Sequence, residues 1–320
     1  MCKVSVVIPN YNGMIYLDDC LSALRRQTEK DFEILLVDNG SGDGSISFVK
    51  EKYPEVRCIA LKRNYGFCRA VNIGIQKAKA PYVILLNNDT KAEEDFVRAL
   101  LADIEMHPNC FSSQAKILQM HNPALMDDGG NYYCSLGWAF AWGKDMPANL
   151  YDEPRRIFAS CACAAIYRKS IFSVIGYFDE RHYAYLEDID IGYRARIEGY
   201  ENRYAPGAVV HHVGSGTTGS RYNEFKIGYS ARNNIYLIYK NMPFLQILLN
   251  IPFLITGILV KTVFFGSKGY YKEYIQGIRK GFALAEKGSK VKFKKKNFKN
   301  YVKIQFELWI NIIKRLKNTR

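Results

Sequence analysis

Residues 3–13 read KVSVVIPNYNG, and the way this stretch folds sets the pattern for the next eighty residues. The run 3–8 is rich in β-branched side chains without polar alternation, as in a strand buried on both faces of a parallel sheet. Pro9-Asn10-Tyr11-Asn12-Gly13 then breaks it. A helical pattern follows to about residue 27. A second apolar run, 32–37, ends in Asp38-Asn39-Gly40-Ser41-Gly42-Asp43-Gly44-Ser45. Helix 45–53, strand 56–61, helix 67–79 and strand 82–86 continue the alternation. Four strands with intervening helices predict a doubly wound, mostly parallel α/β sheet of Rossmann-like type, with ligands at the carboxyl ends of its strands.

Downstream, the pattern predicts a helix over 92–106 and strands over 110–118, 157–167 and 202–212. A further helix runs to residue 242. Residues 122–154 are irregular and aromatic, suited to lining an acceptor cleft. The pattern divides the chain into a folded part, 1–242, made of two α/β halves, 1–90 and 91–242, and a helical tail, 243–320.

Charge is distributed unevenly along the 320 residues. Residues 261–320 hold 17 Lys and Arg against three Asp and Glu, which is the whole net charge of +14. The first 260 residues carry 28 of each sign. A neutral folded part argues against nucleic acid, and a basic tail after an apolar segment points to an anionic membrane surface. The eight cysteines show no CxxC pair or zinc spacing, as expected of reduced cytosolic thiols. No signal peptide is expected ahead of the first strand.

Several strand ends carry chemistry. Gly40-x-Gly42-x-Gly44 is not GxGxxG and follows the second strand, so it suits a tight turn around Asp38 better than a dinucleotide site. Asn87-Asn88-Asp89-Thr90 follows a buried strand with oxygen ligands suited to a hard divalent cation, although Asp89 could equally cap a helix. Of His211 and His212, strand alternation lets only one face a cleft. Residues 186–200, LEDIDIGYRARIEGY, predict a helix with Glu187, Asp188 and Asp190 in its first turn and Gly199 as its stop. Dipole stabilisation and a surface Asp190–Arg194 pair would explain these acids, and so would a general base at the mouth of a cleft.

Taken together, VVIPNYN (6–12), LLVDNGSGDGS (35–45), NYGFCRAVNIGI (64–75), ILLNNDT (84–90), GYFDERHYAYLEDIDIGYRARIEGY (176–200), VVHHVGSGT (209–217) and ARNNIYLIYKNMP (231–243) resemble the inverting, GT-A fold glycosyltransferases of family 2. The chain looks most like their rhamnosyltransferase-like branch in surface-polysaccharide assembly. The resemblance implies that Pro9, Tyr11 and Asp38 hold the base and ribose of a nucleotide-sugar donor. It places Asn64, Gly66, Asn72, Asn87 and Asn88 near the nucleotide sugar. Asp89 and His212 would hold a divalent cation, Mn²⁺ or Mg²⁺, and Asp188 would be the base, with Glu187 beside it as the alternative. The expected donor is dTDP-rhamnose or a UDP-sugar, and the acceptor a lipid-linked or growing glycan. One departure stands out: the family's DxD is Asn87-Asn88-Asp89 here. An inactive, membrane-docked scaffold that binds nucleotide sugars is therefore the alternative reading.

Residues 243–265, PFLQILLNIPFLITGILVKTVFF, are long enough to cross a bilayer but contain Gln246, Asn250, Pro252 and Lys261. A single crossing would put the basic tail opposite a cytoplasmic catalytic domain, against the positive-inside tendency. The expectation is a segment lying on or dipping into the inner leaflet, with the tail on the same cytoplasmic face. Beyond it, Phe298, Val302, Phe306, Trp309, Ile313 and Leu316 mark one broad apolar helix face, facing either lipid or protein.

Overall fold

Strand β1 (Val4–Asn10) lies between β2 (Phe32–Asp38) and β4 (Tyr82–Leu86), with β3 (Arg57–Ala60) outside β2, all four parallel. The computed structural model describes residues 2–214, 222–286 and 288–317. Alternation along these strands divides the core between the two faces of the sheet. Val6, Ile8, Ile34, Leu36, Ile84 and Leu86 pack on one face, and Val7, Leu35, Val37, Val83 and Leu85 on the other. The apolar runs have no polar gaps because both faces are covered. Helices α1 (Met14–Arg25), α2 (Ser45–Lys52) and α3 (Phe67–Lys77) make the crossovers. Register sets Asn10 beside Asp38, so the polar ends of β1 and β2 emerge together.

The second half begins with β5 (Thr90–Ala92) and α4 (Phe96–Met106), so the helix expected from 92 starts four residues later, after a short strand. The expected strand over 157–167 is two strands, β10 (Arg155–Ile157) and β11 (Ala164–Arg168), which pair with different partners. Between β6 (Cys110–Gln119) and β10, the irregular region forms three short strands, β7 (Met126–Asp128), β8 (Asn131–Cys134) and β9 (Trp138–Ala141). Strand β11 runs antiparallel between β4 and β6, while β12 (Glu201–His212) lies parallel to β6. The main sheet therefore runs β10-β12-β6-β11-β4-β1-β2-β3, a parallel half joined to a mixed half. A register shift between Ala205 and Val209 accommodates Pro206, which has no N–H for the ladder.

Helix α5 (Phe172–Ile175) leads to the acidic helix α6 (Glu187–Ile197). Gly199 stops α6 at φ 91°, and Gly199 and Tyr200 donate back to the Arg196 and Ala195 carbonyls. Gly192 is needed where α6 meets the β10–β11 connection, since a Cβ there would stand 2.4 Å from that of Ala159. Helix α7 (Glu224–Asn241) crosses behind α6.

The tail forms α8 (Phe244–Ser267), α9 (Tyr271–Leu284) and α10 (Phe298–Lys317), all packed back on the preceding α/β part of the chain. Gln246 and Asn250 of α8 face inward. Tyr193 donates to Gln246 Oε1 over 2.8 Å, and Asn250 exchanges hydrogen bonds with Gln305 of α10. The Trp138 indole donates to the Gly257 carbonyl. Helix α10 buries Tyr301, Ile304 and Leu308 but exposes Phe298, Val302, Phe306 and Ile313, so it presents one apolar face to protein and another outward.

Candidate active site

A cavity of about 1140 Å³ opens where β1, β2 and β4 end, and the second half of the chain closes it. Pro9, Tyr11, Asn64, Gly66, Asn87, Asn88, Asp89, Glu187, Asp188 and His212 all line it. Asp38 and Asn72, expected beside the nucleotide, do not. Asp38 is buried beneath the rim, accepting from Asn10 Nδ2 at 2.8 Å and from the Ser41 backbone. Asn72 fastens α3 to the loop at Phe178, donating to its carbonyl and accepting from its N–H.

The rim is a network of amides. Asn88 donates to Asn10 Oδ1 at 2.6 Å, and Asn10 in turn to Asp38. Asn39 donates to Asn64 Oδ1 and to the Gly66 carbonyl, while its own oxygen accepts from the Tyr65 N–H. Asn10 and Asn39 line the cavity and escaped the sequence reading, although both stand inside strand-end motifs that it quoted. Gly66, at φ 89°, lies so close to the Tyr183 ring that a Cβ would fall 2.5 Å from it.

Pairing of β5 with β12 sets His212 opposite Thr90, one residue from Asp89. His212 Nε2 then lies 3.3 Å from Asp89 Oδ1, and Nδ1 is 2.8 Å from Asp127 Oδ2. His211 points the other way, to Glu93. Burial disfavours charge on His212, yet Cys163, Asp127 and Asp89 outweigh it and hold the imidazole pKa well above its ordinary value. Two acids bracketing one ring thus collect positive charge. Asp89 and His212 are the oxygen and nitrogen donors here that could hold a divalent cation, and Asp127 orients the ring from its other nitrogen. Asp127 lies in the aperiodic region, where no sequence signal marked it.

The acids of α6 separate by direction. Asp190 faces away from the cavity into a buried cluster with Arg194, Lys240 and Asn241, so the expected surface ion pair is instead fully enclosed. Burial alone would raise the Asp190 pKa, but Arg194 and Lys240 hold it far below the usual carboxylate range. Glu187 and Asp188 line the cavity, and neither forms an ion pair with a cation among the described residues. Burial pushes both carboxyls up, the neighbouring Asp188 adding to the effect on Glu187 and Asp128 to that on Asp188. Desolvation therefore outweighs the helix dipole that the sequence pattern suggested. Asp188 accepts from Asn131 Nδ2 at 2.6 Å and from the Ile189 N–H at 2.7 Å. Glu187 Oε2 is buried with no hydrogen-bond partner among the described residues.

Comparison with known proteins follows this geometry. The family model for glycosyl transferase family 2 matches residues 5–176. The chain is 29% identical over 245 residues to an N-acetylglucosaminyl-diphospho-decaprenol L-rhamnosyltransferase of Mycobacterium tuberculosis, covering 67% of this chain and 77% of that one. It is also 29% identical over 179 residues to an uncharacterized glycosyltransferase of Bacillus subtilis, covering 55% and 62%. In fold it is similar to GalNAc-T7 solved with UDP, GalNAc and Mn²⁺, with a TM-score of 0.60, 19% identity and coverage of 74% and 48%. S. aureus TarS in complex with UDP is a second such structure, with a TM-score of 0.52, 17% identity and coverage of 79% and 69%. The family match takes in more than half of the chain, including the strand ends that build the cavity rim, and the chain therefore belongs to glycosyl transferase family 2, with a rhamnosyltransferase-like sequence.

Proposed function

We propose that this protein transfers a sugar, with inversion, from a nucleotide diphosphate sugar to a hydroxyl of a membrane-linked glycan acceptor in cell-surface polysaccharide synthesis. One observation carries the reading: the Asp89–His212 pair and the Glu187–Asp188 pair line the same cavity. Pro9, Tyr11, Asn39, Asn64 and Gly66 form the nucleotide end, stiffened from below by Asp38 through Asn10 and Ser41. Asp89 and His212 would hold the cation, which when bound neutralises charge on the leaving diphosphate.

Asp188 takes the proton from the acceptor hydroxyl as its oxygen bonds to the anomeric carbon. The sugar–phosphate bond breaks and its electron pair leaves with the nucleoside diphosphate. One base acting in a single displacement inverts the anomeric centre. Burial suits Asp188 to this task, because a raised pKa makes a stronger base while the Asn131 hydrogen bond keeps an ionised population. The rhamnosyltransferase relative favours dTDP-rhamnose as donor and a lipid-diphosphate-linked N-acetylglucosamine as acceptor.

The tail supports attachment at the cytoplasmic membrane face. Gln246, Asn250, Leu254 and Gly257 bind one side of the first part of α8 to the domain, while Leu245, Leu248, Leu259 and Val263 point outward. A protein-facing side opposite an apolar outward side supports a helix lying in the interface. The functional test is a thermal-shift screen of dTDP and UDP with and without Mn²⁺, since ligand binding to the native state raises its apparent stability. A cation-dependent shift with either nucleotide is expected. No shift with any nucleoside diphosphate would contradict the reading.

A further inference from the structure

The turn that delivers Glu187 and Asp188 is conformationally unusual. Tyr183, Tyr185 and Leu186 take φ values of 62°, 71° and 62°, so three of the four residues ahead of the helix are in a region that side chains with a Cβ disfavour. Such backbone persists only where surrounding structure imposes it. Leu186 is also the N-cap of α6 and supplies no side-chain cap, which leaves local support to the Ala184 N–H donating to the His182 carbonyl and the Ile189 N–H donating to Asp188.

Tyr183 is tied to α3 and the rim, its carbonyl accepting from the Cys68 N–H and its hydroxyl donating to Asn64, and the rest of the turn is held by α7. Asn233 is fully buried and directs its side-chain Nδ2 at the carbonyls of His182, Ala184 and Tyr185, at 2.9, 2.8 and 2.7 Å. Its Oδ1 accepts from Arg232 Nε at 2.9 Å, which fixes which end of the amide faces the turn. Arg232 Nη2 adds bonds to the Arg181 and His182 carbonyls at 2.7 and 2.8 Å. Four of the five residues 181–185, all but Tyr183, thus give their carbonyls to two adjacent side chains. The helix behind them is itself pressed into place, because Gly277 and Gly281 of α9 let that helix approach the backbone of Gly228 and Arg232 closely.

We infer that Asn233 is a positioning residue for the transfer reaction: by gathering the carbonyls of 182, 184 and 185 it imposes the turn that presents Glu187 and Asp188 to the cavity. Asn233 is absent from the cavity lining. The inference rests on the reading of Asp188 as base. It also gives the basic tail a second task, since α9 braces the helix that carries the clamp.

The test compares Asn233→Asp and Asn233→Ser in the full-length chain. Aspartate matches the shape of asparagine but offers the carbonyls no donor; serine keeps one. The assay is dTDP release from dTDP-rhamnose with Mn²⁺ and a synthetic lipid-diphosphate N-acetylglucosamine acceptor, with dTDP affinity and cooperative unfolding measured in parallel. Asn233→Asp is expected to lower kcat by about tenfold or more, Asn233→Ser by less, with donor KM and dTDP affinity within about twofold of the parent. Unchanged kcat in both variants would overturn the inference. So would equal losses in kcat and dTDP affinity, or failure of both to fold, because each makes Asn233 a residue of general stability. Asp188→Asn measured alongside separates the two claims: if it stays active the base assignment fails, whereas an inactive Asp188→Asn beside fully active Asn233 variants removes the clamp alone.

Discussion

Asn131 on β8 donates its side-chain amide to Asp188 on α6 across 2.6 Å, joining residues 57 positions apart in the chain. The bond stabilises the ionised form of a carboxylate that burial pushes toward its neutral form. Asn131→Ala is therefore expected to raise the Asp188 pKa further and to lower kcat near neutral pH by about tenfold, the scale of one hydrogen bond to a charged group. The ascending limb of the pH–rate profile should move to higher pH. A limb that stays in place would show that the amide does not govern the base.

The same burial has a consequence for stability, with a definite sign. Glu187 and Asp188 have folded pKa values raised above the ordinary carboxylate range, chiefly by desolvation. Between the unfolded and folded values the native state holds more protons than the unfolded one, so stability is highest below that window and falls as pH rises through it. Glu187→Gln is expected to raise the unfolding temperature at neutral pH, with the gain disappearing at about pH 4, where the unfolded carboxyl is itself half protonated. Unfolding scans across this range check it.

Asp127 lies behind His212, on the side away from Asp89. Asp127→Asn keeps the shape and removes the charge that orients and enriches the imidazole. The expected result is a roughly 10–100-fold weaker dependence on Mn²⁺ for stabilisation by dTDP or UDP, the usual range for a residue that orients a ligand. Titration of Mn²⁺ in the thermal-shift experiment reads this directly.

Removing the whole tail would be a poor test of membrane attachment, because it strips Tyr301, Ile304 and Leu308 from the core they help to build. Leu248→Ser with Leu259→Ser changes only the outward face of α8. This double variant is expected to fold normally and to float less with phosphatidylglycerol vesicles. Unchanged flotation would place the attachment elsewhere. Neutral phosphatidylcholine vesicles should bind the parent more weakly, because the basic tail loses its anionic partner.

Much of this arrangement could be read in advance wherever chemistry and local pattern coincide. Val4 to Ile8 announce a doubly covered strand because alternate residues enter two separate cores. Asp89 and His212 are marked by strand ends that the antiparallel pairing of β5 with β12 brings together. Asp190 shows the limit: its i,i+4 partner Arg194 was legible, but its burial depends on Lys240 and Asn241, some fifty residues later. Asp127 and Asn131 belong to a stretch without periodicity, and their partners lie 85 and 57 residues away. Gln246 and Asn250 looked like blemishes in an apolar segment until Tyr193 and Gln305 supplied their hydrogen bonds.

The central claim is that Asp188 removes the acceptor proton in a cavity shared with the cation pair. Its most direct measurement is the turnover of Asp188→Asn in dTDP release from dTDP-rhamnose, made beside its affinity for dTDP and Mn²⁺. A loss of at least about a hundredfold in kcat with nucleotide affinity intact is the result expected. Turnover close to that of the parent protein would contradict the claim and transfer the role of base to Glu187.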